Sequence, residues 1–163
     1  MARSIRIFDG SFGRLQLLEA EAEDSLQTAV APQIVMLHEG AGLDVVVDGE
    51  PQHLTRDNLL FLNPGAASQV APGAGGHTQL LVFQASTDWL RGRFPAVFDA
   101  VARPFPAGSE AINPRIRQLA DTLVIEALND QFLSHERLEF MLQELMLSIV
   151  ETCLARRAAG ARM

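Results

Sequence analysis

The sequence predicts a mainly β protein with α-helices: a small antiparallel β-barrel over residues 1–86, followed by a helical arm over 87–163 that ends in a short tail. Three observations carry this. Apolar residues before Ala85 come in short β-rich runs separated by turn residues. After Ala85 they recur at intervals of three and four, the spacing of one helix face. The chain has 163 residues, 48% of them apolar, enough for one domain with a sizeable core.

The β-rich runs are RLQLLEA (14–20), QIVMLHEG (33–40), LDVVVDGEPQHL (43–54), NLLFLNPG (58–65), SQV (68–70) and HTQLLVFQA (77–85). Asp48-Gly49 divides the third into a hairpin, because a two-residue loop matching the strand twist needs positive φ at both positions. Asn63-Pro64-Gly65 and the glycine-rich stretch 72–76 mark the next connections. Short strands at this density suit a small barrel or sandwich. Gly10-Ser11-Phe12-Gly13 reads as a turn, since neither the Lys nor the helix N-terminus of a phosphate loop follows it.

In the helical part, Ser86 or Thr87 caps a short helix through Arg91, and Pro95 opens another short piece. Asn113-Pro114 reads as an N-cap with Pro in the first turn, ahead of Ile116, Leu119, Ala120, Leu123, Ala127 and Leu128. Ser134 is expected to cap the last helix, with Leu133 and Leu138 as a hydrophobic staple. That helix carries the stripe Leu138, Met141, Leu142, Leu145 and Ile149. From Ser134 to Arg157 it would run roughly 35 Å, too long for a small barrel and one partner helix to cover, so the stripe is expected to pair two copies of the chain.

Charge and opening residues narrow the function. Thirteen arginines, no lysine and twenty carboxylates give a net charge of −7. A chain of that sign is a poor DNA binder on its own. No basic-then-apolar leader opens the sequence and no apolar run approaches the roughly 20 residues of a membrane span, so a cytoplasmic protein without membrane contact is expected. Cys153, the only cysteine, lies in a helical pattern and is read as a buried small residue.

The stretch from LDVVVDGEPQHL through DNLLFLNPGAAS to HTQLLVFQAS, followed by NPRIRQLADTLVIEAL and LEFMLQELMLSIVETCLARR, resembles the amino-terminal cupin domain of AraC-type bacterial transcription regulators. Where that family shows Gly-Asp, four apolar residues, Pro-Pro-Gly, two residues and His, this chain has Asp57-Asn58, Leu59 to Leu62, Asn63-Pro64-Gly65, Ala66-Ala67 and Ser68. The resemblance implies a cupin-like barrel (jelly roll) with a helical dimerisation arm. It also implies a small-molecule effector in the barrel and DNA contact only through a domain absent from this chain. It departs from metal-dependent cupins: no His-x-His falls in Ser25 to Val30, Gln33 stands nearest the position of their Glu, and Ser68 stands where their second motif has His. No metal, cofactor or catalytic residue is therefore expected.

A rival reading is a metal-independent cupin enzyme of the isomerase or epimerase kind, with His38 or His53 as its base. His38, His53, His77 and His135 match no metal-ligand spacing, and each also fits an ordinary hydrogen-bonded or solvent-facing histidine. Alternation leaves two choices for the barrel lining, Ile34/Met36/His38 or Gln33/Val35/Leu37, with Val45/Val47, Leu59/Phe61 and Gln79/Leu81/Phe83 as candidate inner rows. The expected ligand-binding set is Met36, His38, His53, Phe61, Gln79, Phe83 and Trp89, with Trp89 closing one mouth.

Overall fold

The computed structural model describes residues 3–20, 27–70, 78–98, 105–129 and 133–154. The stretch 72–76 and His77 lie outside them.

β1 (Arg3–Gly10) and β2 (Gly13–Ala20) form a hairpin, and the short β3 (Gln27–Thr28) precedes β4 (Gln33–Glu39). β5 (Leu43–Val47), β6 (Glu50–Leu54), β7 (Asn58–Leu62), β8 (Ala67–Val70) and β9 (Thr78–Ala85) follow. Two short helices, α1 (Thr87–Arg93) and α2 (Pro95–Phe98), lead to β10 (Gly108–Ala111), and α3 (Pro114–Ala127) and α4 (Ser134–Cys153) close the described chain. The strands make two antiparallel sheets: six strands in the order β1-β2-β9-β4-β7-β10, and four in the order β3-β8-β5-β6.

The character of each strand follows from what covers it. β4, β7 and β9 are nearly unbroken apolar runs and are buried on both sides, between the smaller sheet and the helices. β5 alternates, with Leu43, Val45 and Val47 buried while Asp44 points to solvent, because only one face of the smaller sheet is covered. Two cores result. Val35, Leu37, Val45, Leu60, Leu80 and Val82 fill the space between the sheets. Ile34, Met36, Leu59, Phe61, Leu81 and Phe83 point out of the opposite face, onto Leu142, Leu145, Met146 and Ile149 of α4.

The turns follow residue chemistry. Asp48 and Gly49 both take positive φ, 49° and 82°, as the hairpin requires, and Asp48 Oδ1 accepts the Ala67 amide at 2.9 Å. Between β1 and β2, Phe12 is fully buried and rests on Phe83, with ring centroids 6.3 Å apart. Gly13 allows this entry. Its φ is 118°, and a Cβ there would lie 2.1 Å from the Gln84 carbonyl oxygen.

Ser86 caps α1 by accepting from Trp89 N, and Asn113 caps α3 by accepting from Ile116 N with Pro114 in the first turn, both as the sequence indicates. Ser134 differs: it is the first helical residue of α4, and its hydroxyl donates to the Asn129 carbonyl at 2.7 Å instead of capping. β1, β3 and β10 were not evident from the sequence. β10 pairs with β7, Gly108 opposite Phe61, so the larger sheet draws its last strand from the half of the chain expected to be helical. Asn63 aligns this return: its Oδ1 accepts from Phe105 N at 2.9 Å and its Nδ2 donates to Phe105 O at 2.8 Å. The Phe105 ring stacks on Phe61 at 4.8 Å.

The expected dimer stripe requires correction. Leu138, Leu142, Leu145 and Ile149 are at most 4% exposed because they pack on the larger sheet and α3 of their own chain, and Met141 is half-buried beside them. The six-stranded sheet offers a whole outer face to cover, more than a short barrel was expected to provide, and α4 uses its apolar stripe on it.

Candidate functional site

A cavity of about 130 Å³ opens between the two sheets. Its apolar wall comes from Leu18, Val35, Leu43, Val45, Leu60, Leu62, Val70, Leu80 and Val82, and its polar wall from Gln16, Gln27, Gln33, Ser68, Gln69 and Gln84. The register explains the grouping. Gln33 lies opposite Gln84, Gln16 opposite Val82, and Gln27 opposite Ser68, so these side chains share the inward face with Val35 and Val82. No ionisable residue lies in this wall among the described residues.

None of the seven residues expected to bind ligand lines this cavity. Met36, Phe61 and Phe83 belong to the other face of the larger sheet and are buried against the helices. Gln79, opposite Glu19 and two residues from Leu81, is on that face too. Trp89 closes no mouth of the barrel; it sits in the helix-side core, edge-on to Phe83 at 5.8 Å. His53 is largely exposed on the outer face of the smaller sheet, its Nδ1 2.6 Å from Asp44 Oδ1 directly across the strand pair. His38 faces α3, with Nδ1 3.6 Å from Asp121 Oδ1. The physical reason is common to most of them: the Gln33/Val35/Leu37 set, not Ile34/Met36/His38, points inward. His135 is exposed and lies beside Phe12.

A polar cluster fastens α3 to the barrel. Arg117 Nη1 donates to the Leu37 carbonyl at 2.7 Å, and Arg56 donates to the His38 carbonyl through Nη1 and to Asp121 Oδ2 through Nη2, the latter at 2.6 Å. Arg117 Nη2 lies 3.1 Å from Asp121 Oδ1, one helical turn on. Burial lowers the Arg117 pKa against the opposing pull of Asp121. Burial raises that of Asp121, but the Arg56 hydrogen bond and the charges of Arg117 and Arg56 outweigh it and hold the carboxyl below its ordinary value. Arg56 and Arg117 were not singled out in the sequence. Their only sequence signal is an Arg four residues before an Asp, which is ordinary on a helix surface.

Other chemistry is sparse. Cys153 is half-buried and its thiol is pushed up to about 11, first by burial and then by Glu110. Among the described residues, no three of His, Cys, Asp and Glu converge as metal ligands, and no helix is long and apolar enough to cross a membrane.

No family model and no curated protein matches this sequence. Solved structures do. The chain is similar to apo ToxT K231A from Vibrio cholerae, at 9% identity and a TM-score of 0.60, over 87% of this chain and 56% of that one. It is similar over about half its length to a cupin superfamily protein from Desulfitobacterium hafniense (12% identity, TM-score 0.43, 53% of this chain and 79% of that one). EutQ from Clostridium difficile gives 17% identity and a TM-score of 0.43 over 55% of this chain and 66% of that one. At such identities the likeness is one of fold. The two-sheet antiparallel barrel followed by helices is the cupin-type, mainly β with α architecture that the sequence led us to expect. ToxT, which shares both the barrel and the helices, is an AraC-family regulator, and this chain spans about half its length.

Proposed function

We propose that this chain is the effector-sensing part of an AraC-type transcription regulator: a small molecule enters the barrel and alters DNA binding by a domain outside this sequence. The observation that carries the reading is the likeness to ToxT, which extends through barrel and helical arm together. A cavity between the sheets and a polar bolt from α3 to the barrel wall support it. A ligand that fits one arrangement of barrel and α3 better than another would shift the balance between them; equal fit would shift nothing.

In this reading the chain is not an enzyme. The rival isomerase needs a base within hydrogen-bond reach of a bound substrate, and neither His38 nor His53 lines the cavity. The protein works in the cytoplasm, where its DNA is, and as a homodimer paired through the outer face of α4. That face carries Leu133, Phe140 and Leu147, 47%, 75% and 46% exposed and seven residues apart. The test is the gene itself. The reading expects two helix-turn-helix patterns, within about 100 residues beyond Met163 or in an adjoining gene. A locus with neither overturns it.

A further inference from the structure

The barrel cavity is walled by amides. Gln16, Gln33 and Gln84 reach it from three neighbouring strands of the larger sheet, and Ser68 faces them from the smaller one. All four are half-buried, and among the described residues the three glutamine side chains have no protein hydrogen-bond partner. Each amide offers a carbonyl acceptor and an NH₂ donor. The cavity thus presents unused donors and acceptors side by side above an apolar floor of Val35, Leu60 and Val82.

Among the described residues, none in this wall carries a charge. The nearest cation along the strands, Arg14 opposite Gln84, is already held by Asp9, with Nε and Nη2 at 2.7 and 3.2 Å from the two carboxylate oxygens. An anionic or cationic ligand would shed its hydration shell and meet only neutral dipoles, a trade that is unfavourable without an opposite charge. An uncharged polar group loses far less water and recovers its bonds from the amides. Size sets a second limit: a cavity of about 150 Å³ accommodates benzene, so about 130 Å³ holds a group of roughly that size.

We propose that the barrel selects an uncharged ligand whose buried end has about six heavy atoms and carries both a hydrogen-bond donor and an acceptor, as in a primary amide, a lactam or a neutral polyol. Carboxylates, phosphates and amines find no counter-charge among the described wall residues and bind more weakly. This rests on the barrel being the effector site, and the test separates the two claims.

Butyramide, butyrate and n-butylammonium share a tail and differ in charge. Each is titrated into the full chain, with Val and Leu methyl groups followed by NMR at pH 7. Butyramide is expected to shift the methyls of Val35, Leu60 and Val82 saturably and to bind at least about tenfold more tightly than either ion, the equivalent of about 1.4 kcal/mol. Replacing Gln33 and Gln84 by Met is expected to weaken butyramide binding at least about tenfold, because its amide loses the bonds that replace water; if the double variant does not fold, Gln84→Met alone is expected to weaken it by a smaller factor. Butyrate or butylammonium matching butyramide at those methyls overturns the ligand class and leaves the barrel site standing. If none of the three moves the barrel methyls up to about 100 mM, where even weak fragments of this size register, the barrel site falls as well.

Discussion

Arg117 Nη1 and the carbonyl oxygen of Leu37 are 2.7 Å apart, and through this bond α3 grips β4 just where the pairing of β4 with β9 shifts, between Leu37 and Glu39. The Leu37 side chain points the other way, into the core between the sheets. One residue thus presents its backbone to the helix and its side chain to the barrel interior. A strand displaced at Leu37 pulls on α3 directly.

Removing the grip should be costly. Arg117→Ala leaves the Leu37 carbonyl without its donor and takes one of two arginines from Asp121. The Arg117 side chain is only 14% exposed, so the bonds it makes are largely shielded from water. The expected destabilisation is about 2–4 kcal/mol in urea unfolding, from the cost of orphaning a buried acceptor and weakening a part-buried ion pair. Arg117→Lys should recover less than half, because an ammonium cannot reach Leu37 and Asp121 with one rigid fork.

Asp121 makes the cluster sensitive to acid. Its carboxyl titrates below the ordinary 3.8, so the folded state binds the proton less readily than the unfolded chain. Its stabilising contribution is present in full above the unfolded value and is lost as pH falls through the folded one. Asp121→Asn should be less stable than the parent at about pH 5, and the gap should narrow as pH falls below about 4. Chemical denaturation across this range reads it; a gap that widens as pH falls below about 4 contradicts the assignment.

The path of the chain through the β1–β2 turn depends on Gly13. A Cβ there would meet Gln84 O at 2.1 Å and Ser86 N at 2.8 Å, both backbone atoms that cannot swing aside. Gly49 also has positive φ, but nothing lies within 4 Å of its would-be Cβ. Gly13→Ala should therefore cost about 3 kcal/mol or more, strain and overpacking together, whereas Gly49→Asn should cost under about 1 kcal/mol. Paired thermal melts distinguish them. Equal shifts would mean that backbone conformation alone, not the close approach to β9, sets the requirement.

How far the sequence could be read depended on whether an element shows contrast between its faces. Asp48-Gly49, Asn113-Pro114 and the alternating β5 each have it, and the structure places them as expected. Ile34-Val35-Met36-Leu37, Leu59 to Leu62 and Leu80 to Phe83 have none. These strands are apolar on both faces because both are buried, so a period of two cannot say which side holds the cavity. Choosing the Met36 side moved Phe61, Gln79 and Phe83 with it, since cross-strand register ties them together. The informative residues were the polar ones interrupting the other set, Gln33 and Gln84, whose burial beside Val35 and Val82 calls for a reason. β10 was hidden differently: Gly108-Ser109-Glu110-Ala111 has no strand character and pairs only because Asn63 and Phe105 bring it to β7.

The two faces of α4 make opposite predictions. Leu142 is fully buried among Leu15, Ile34, Met36 and Leu81, so Leu142→Ala should lower stability by about 2–5 kcal/mol without any direct effect on association. Phe140 is 75% exposed on the other side, so Phe140→Ser should leave stability within about 0.5 kcal/mol. Its expected effect is on self-association. Antiparallel pairing of two α4 helices about Glu144 sets Phe140 against Leu147 of a second copy and Arg137 against Glu151, an alignment of opposite charges that parallel pairing would not give. Glu144 at the centre is already matched by Arg115 at 2.7 Å, which eases the approach of its counterpart. Sedimentation velocity at tens of micromolar should then show a dimer for the parent and for Leu142→Ala while it remains folded. Phe140→Ser should show a monomer or an equilibrium at least about tenfold weaker. If Phe140→Ser sediments like the parent dimer, the outer face is not the interface; if the parent is itself a monomer, α4 serves only to cover the larger sheet.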